Sequence, residues 1–196
     1  MSVEAVSPGK RESRGFVRRI LRALGVVVVL AGLVVGSLVV SAYRNPPLRF
    51  GFAPVAREGE AGEWTTVAWQ LINEGRFAVR IREVRFDLYP DQRAIPVWVM
   101  GGISTHGRLV ASNLSDNPTD DGIILVPIGD FVIPPKHKGR MEVTPEFRTW
   151  GTPYNYGLIA RYSFRESGRS PMGRITIRYT YMGLPLTLQD EFRDDD

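Results

Sequence analysis

The sequence predicts an all-β protein, an antiparallel β-sandwich of about seven to eight strands, preceded by one N-terminal transmembrane helix. Three observations carry this. Residues 23 to 42 contain no charged side chain, a length that spans the hydrocarbon core of a bilayer as a helix. Behind that run, short segments alternate apolar and polar residues with a period of two and are divided by Gly-, Pro- and Asn-containing turns. Outside the run there is no amphipathic helical window and no repeat of 20 to 50 residues, which argues against a helical bundle or a solenoid.

The apolar run ALGVVVVLAGLVVGSLVVSA follows a leader containing Lys10, Arg11, Arg14, Arg18, Arg19 and Arg22. Fewer bases follow within about 20 residues, so the positive-inside rule puts residues 1 to 22 in the cytoplasm as a basic tail. Residues 23 to 43 then form a signal anchor in the cell membrane, and the rest is extracytoplasmic. The alternative is a cleaved signal peptide, for which Val40, Ser41 and Ala42 offer small residues. The run is longer than the usual apolar region of a signal peptide, which favours the anchor. Within it Gly32 and Gly36 form a small-xxx-small arrangement through which two helices could meet as a homodimer.

Charge divides at the same place. The 196 residues carry 25 Lys or Arg and 21 Asp or Glu, a net charge of +4. Seven of those bases and only two of the acids lie in residues 1 to 44, so the remainder is close to neutral. That distribution excludes nucleic acid as the expected partner, because the basic excess flanks a membrane helix. With no cysteine there is neither a lipidation site nor a disulfide to brace the outer domain.

The elements follow in order. Asn45, Pro46 and Pro47 form a stiff stalk at 44 to 47, since proline forbids helix continuation. The domain then runs from 48 to 192, with a short acidic tail at 193 to 196. Leu48, Phe50 and Phe52 alternate with polar or small residues as a first strand. Val67, Trp69 and Leu71 form the buried face of the next, with Thr66, Ala68 and Gln70 outward. Asn73, Glu74, Gly75 and Arg76 make a turn, and Phe77, Val79 and Ile81 begin the return strand. The buried set then changes phase to Val84, Phe86 and Leu88, which requires a β-bulge near Arg82 and Glu83. Residues 95 to 100 and 123 to 128 suit strands buried on both faces, joined by a polar surface loop. Phe131, Val132 and Ile133 lead to a proline-led turn at 134 to 139 and a strand at 140 to 147. Last, Ile175, Ile177, Tyr179 and Tyr181 alternate cleanly, turn at Met182 and Gly183, and return through Leu184, Leu186 and Leu188.

The segments LINEGRFAVRIREVRF, FVIPPKHKGRMEV and ITIRYTYMGLPLTLQDEF, in this order, resemble uncharacterised bacterial membrane-anchored proteins with an extracytoplasmic Ig-like β-sandwich domain. The likeness covers roughly residues 64 to 192. It implies an Ig-like fold and an envelope location, and it brings no catalytic residues.

Candidate chemistry is sparse. Ser104, His106 and Asp116 could be assembled as a triad for an anchored hydrolase, but Gly102-Ile103-Ser104-Thr105-His106 departs from Gly-x-Ser-x-Gly at its last position. The two histidines, His106 and His137, lack zinc-site spacing, so no cofactor is expected. Asp116, Asp120 and Asp121 supply hard oxygens suited to Ca²⁺ without the EF-hand pattern, and a turn bonding its own backbone explains them as well. Phe147, Trp150, Tyr154 and Tyr156 could stack on an envelope polysaccharide or a partner protein, or cap the open end of the sandwich. Arg80, Arg82 and Arg85 could face an anionic partner, or guard a sheet face against aggregation. The expected function is a non-catalytic accessory or protein-interaction module of the cell envelope. A carbohydrate-binding module is the alternative.

Overall fold

The computed structural model describes residues 12–52, 56–104, 109, 114, 117–135 and 155–192. The strand expected at 140 to 147 and most of the turn before it lie outside these residues. The chain separates into two compact units, Met1–Arg44 and Asn45–Asp196.

The first unit contains one helix, α1 (Glu12–Arg44). Helical backbone thus begins 11 residues, about three turns, ahead of the expected span, in the arginine-containing leader. The α1 span Arg19–Arg44 is 26 residues, holds an 18-residue window of mean hydropathy 2.8, and is long enough to cross a membrane. Ser37 turns its hydroxyl back to the Val34 carbonyl at 2.8 Å, so this polar group in the apolar span is satisfied by its own helix backbone.

The second unit is antiparallel β-sheet. A five-stranded sheet is ordered β1 (Leu48–Phe52), β3 (Trp64–Asn73), β8 (Asn155–Phe164), β5 (Ala94–Ser104) and β6 (Ile123–Val126). A four-stranded sheet is ordered β11 (Leu184–Phe192), β10 (Gly173–Tyr181), β4 (Val79–Asp87) and β7 (Val132–Ile133). A separate ribbon pairs β2 (Ala56–Gly59) with β9 (Gly168–Pro171). The described residues therefore hold eleven strands rather than seven to eight. The excess comes from segments such as β2, β7 and β9, of four, two and four residues, too short to show a period.

The β10–β11 hairpin has the expected two-residue turn. Tyr181 pairs with Leu184, and Met182 and Gly183 take φ of 54° and 78°, the twisted geometry that matches adjoining strands. The phase change in β4 is a bulge at the expected place: Arg178 faces Glu83 and Tyr179 faces Ile81, leaving Arg82 as the extra residue.

The core lies where the two sheets meet. Trp69 of β3 stands 5.8 Å from Phe86 of β4 and 6.1 Å from Tyr162 of β8, and Phe86 meets Tyr162 edge-on at 5.9 Å. Register puts Val67, Leu71, Leu158 and Ala160 on the face of Trp69, and Ile81, Ile175, Ile177 and Tyr179 on the face of Phe86. Close strand approach here demands glycine. A Cβ on Gly157 would sit 2.4 Å from the Trp69 carbonyl oxygen, and one on Gly101 would sit 2.2 Å from Cγ of buried Phe131.

Four expectations are corrected. Ala68 is fully buried rather than outward, because Leu109 and Leu114, from the stretch expected to be a polar surface loop, pack with Ile123 and Ile159 over that face. That stretch therefore covers a second small core. Phe77 precedes β4 and is 47% exposed, and Leu88 follows it at the same exposure, so the buried set of β4 is shorter than its apolar pattern. Ile124 is exposed because β6 is an edge strand and not one buried on both faces.

Candidate functional site

A cleft of about 490 Å³ opens beside the β2–β9 ribbon, within the usual size range of small-ligand sites. Ribbon register sets Glu58 opposite Arg169 and Arg57 opposite Ser170. Arg57, Glu58 and Arg169 of the ribbon line the cleft together with Glu63, Trp64 and Phe164. The ribbon is fixed from behind. The buried Ser170 hydroxyl accepts the backbone N–H groups of Arg93 and Ala94 at 3.1 and 3.0 Å and donates to the Pro171 carbonyl at 3.2 Å. Gly59 lies flat on the Phe164 ring, where a Cβ would come within 2.5 Å.

The rim is braced in the same way. The Glu63 carboxylate accepts the Glu60 N–H at 2.8 Å, and the Ser167 hydroxyl donates to the Glu60 carboxylate at 2.6 Å while accepting the Ala61 N–H at 3.0 Å. Trp64 is 45% exposed, and the Arg161 guanidinium lies 5.0 Å from its ring centroid, a cation–π arrangement that fixes the indole plane. Burial lowers the pKa of the Arg57 guanidinium, because its charge is partly withdrawn from water. The cleft is thus lined by two guanidinium groups, two carboxylates and an indole, a polar wall with one aromatic surface in which Glu63 is already bonded to the Glu60 N–H and Trp64 is stacked with Arg161.

No protein-family model, curated protein or solved structure matches the chain.

The residues singled out from sequence fall in several places. Trp150 and Tyr154, and with them Phe147, lie outside the described residues. Tyr156 is on β8 and half-buried, its ring 6.3 Å from Phe131, so it contributes to packing beside Gly101. Arg80, Arg82 and Arg85 are all exposed on β4. Arg85 and Arg178 both pair with Glu83, which holds the Glu83 carboxyl below its ordinary pKa, chiefly through the Arg85 hydrogen bond. On the same sheet face Arg174 pairs with Glu191 at 3.0 Å. The arginine face is thus a mixed-charge lattice in which Glu83 sits between two guanidinium groups.

Ser104 is 1% exposed on β5, while His106 and Asp116 lie outside the described residues. Burial keeps that hydroxyl from meeting a substrate in solution. Asp120 accepts the Asn117 side-chain amide at 3.0 Å, and Asn117 accepts the Thr119 hydroxyl at 2.7 Å. Backbone bonds from Asp120, Asp121 and Gly122 to Asn117, Pro118 and Thr119 close the same turn. The described part of this acidic stretch is a self-bonded turn, and no group of three potential metal ligands occurs among the described residues. Around Gly32 and Gly36 the helix surface is open, with nothing within 4 Å of an added Cβ.

The cleft was not legible in the sequence. Glu58 and Arg169 are 111 positions apart and meet only through the ribbon. The one local sign was Trp64 following the Glu- and Gly-rich stretch EGEAGE, an aromatic placed at a loop edge.

Proposed function

We propose that the chain is a single-pass membrane protein whose N-terminus is cytoplasmic and whose Ig-like β-sandwich, outside the membrane, is a non-catalytic accessory or protein-interaction module of the cell envelope. The observation that carries this reading is α1. Its apolar segment has none of its most hydrophobic window buried, and so large an apolar surface is stable only when lipid or another chain covers it. The basic leader supports the orientation. Two facing antiparallel sheets with an aromatic core support the sandwich, and kinship with bacterial membrane-anchored β-sandwich proteins belongs to the same reading. Open backbone at Gly32 and Gly36 leaves room for a second copy of the helix.

The test is crosslinking and affinity capture of the full chain from its native membrane beside two variants, Gly32→Leu/Gly36→Leu and Arg80→Glu/Arg82→Glu. A discrete partner retained by the helix variant and lost with the charge reversal fits recognition by the β unit. A partner lost only with the helix variant contradicts it and assigns the contact to α1.

A second reading, an envelope carbohydrate-binding module, is favoured by one observation, the Trp64 cleft with its indole, arginine and carboxylate lining. Saccharide arrays probed with the chain and with Trp64→Ala separate the two readings. Binding that disappears with Trp64 supports the module, and identical blank arrays contradict it.

A further inference from the structure

The end of the β unit opposite the cleft carries two apolar side chains that the core does not use. Phe77 is 47% and Met182 37% exposed. Phe77 meets the Tyr181 ring edge-on at 5.9 Å, and Met182 follows Tyr181 directly, so the two belong to one apolar tip with exposed Arg76 beside it. This tip is held firmly. Asn73 donates its side-chain amide to the carbonyls of Phe77 and Ile133, both at 2.9 Å, and accepts the Gly75 N–H at 2.9 Å. The Arg76 N–H donates to the Tyr181 hydroxyl at 3.1 Å, and the Glu74 N–H donates to the Pro47 carbonyl at 2.7 Å. A Cβ on Gly75 would lie 2.7 Å from both Pro47 and Tyr181. An exposed phenylalanine on a loop so constrained is presented outward by the fold.

We infer that this tip, residues 73 to 78 with Met182, dips into the interfacial layer of the bilayer that α1 crosses. The inference rests on the membrane-anchor reading above. What selects lipid as the occupant is the covalent chain. Pro47, which the tip grips, is three residues from Arg44 at the end of α1, and three trans peptide units reach about 11 Å at most. That distance is of the order of the headgroup layer. Phe77 and Met182 suit the acyl boundary, and the Arg76 guanidinium suits lipid phosphate. The Arg49–Glu74 pair at 2.7 Å leaves no lone carboxylate from Glu74 to repel that phosphate. The cleft is at the other end of the β unit: Trp64 and Asn73 are the two ends of β3, about 30 Å apart at strand rise.

The chain has no cysteine, so single-cysteine probes are clean. The full chain is reconstituted in phosphatidylcholine–phosphatidylglycerol vesicles with an environment-sensitive fluorophore at Ala78→Cys, Glu58→Cys or Leu33→Cys. Lipids brominated near the carbonyl end of the acyl chains, or at mid-chain, serve as quenchers. The expected result is quenching at position 33 by the mid-chain lipid, and quenching at 78 about threefold above that at 58 by the shallow one. Adding Phe77→Ser/Met182→Ser to the Ala78→Cys chain should abolish that excess, and since both side chains are exposed the β unit itself should remain folded. Quenching at 33 with equal, low quenching at 78 and 58 overturns the inference and leaves the anchor standing. Absence of quenching at 33 overturns the anchor, and the inference with it.

Discussion

Trp69→Ala is the sharpest test of how the β unit is held together. Trp69 is fully buried and has Tyr162 beside it on its own sheet and Phe86 on the other. Truncating a buried tryptophan removes both apolar burial and packing, and costs about 3–5 kcal/mol. Each aromatic pair contributes roughly 0.5–1.5 kcal/mol within that total. For a unit of this size, 1 kcal/mol shifts Tm by about 2–4 °C, so Trp69→Ala should lower Tm by roughly 6–20 °C. The assay is thermal and urea unfolding of the full chain in detergent, followed by near-ultraviolet circular dichroism. A double-mutant cycle with Phe86→Leu should give a coupling of about 0.5–1.5 kcal/mol. A loss below about 1 kcal/mol with no coupling would refute the reasoning, because the sheets would not then be joined through this ring.

Other expectations are as direct. Gly101→Ala brings a methyl against the root of the Phe131 ring and should cost about 1–3 kcal/mol in urea unfolding. Gly101→Ala/Phe131→Leu should be more stable than the sum of its single changes, because the leucine yields that space. Burial pushes the Tyr179 phenol up to about 12, so the folded state holds that proton more tightly than the unfolded one. The stability this contributes is whole below about pH 10 and lost as pH rises toward 12. Tyr179→Phe should therefore flatten the alkaline limb of an unfolding-versus-pH curve, and an unchanged limb would contradict it. Arg85→Ala should raise the Glu83 carboxyl pKa in an NMR titration, since the Arg85 hydrogen bond is the main influence depressing it.

What the sequence made legible, and what it did not, follows from the range of the forces involved. The β10–β11 hairpin, its Met182–Gly183 turn and the bulge at Arg82 are local events, written in period, phase and turn chemistry. Phe77 and Leu88 continue the apolar alternation of β4 beyond its ends, and only tertiary structure decides that neither is covered. Ala68 is small enough to suit either face, and its burial depends on Leu109 arriving from 41 residues away. The cleft depends on longer separations still, with Trp64 under Arg161 and Glu58 opposite Arg169. Candidate residues picked for their chemical type, such as Ser104 and Asp120, prove to be engaged in the fold, buried in one case and bonded within a turn in the other.

Single-cysteine accessibility in intact cells tests most directly whether this is a single-pass protein with its β unit outside. Ser2→Cys and Glu58→Cys variants of the full chain are treated with a membrane-impermeant maleimide before and after permeabilisation. The account predicts membrane-bound chain in which position 58 reacts in intact cells and position 2 reacts only once the membrane is opened. Reaction at position 58 only after permeabilisation, or recovery of the chain in the soluble fraction, would contradict it.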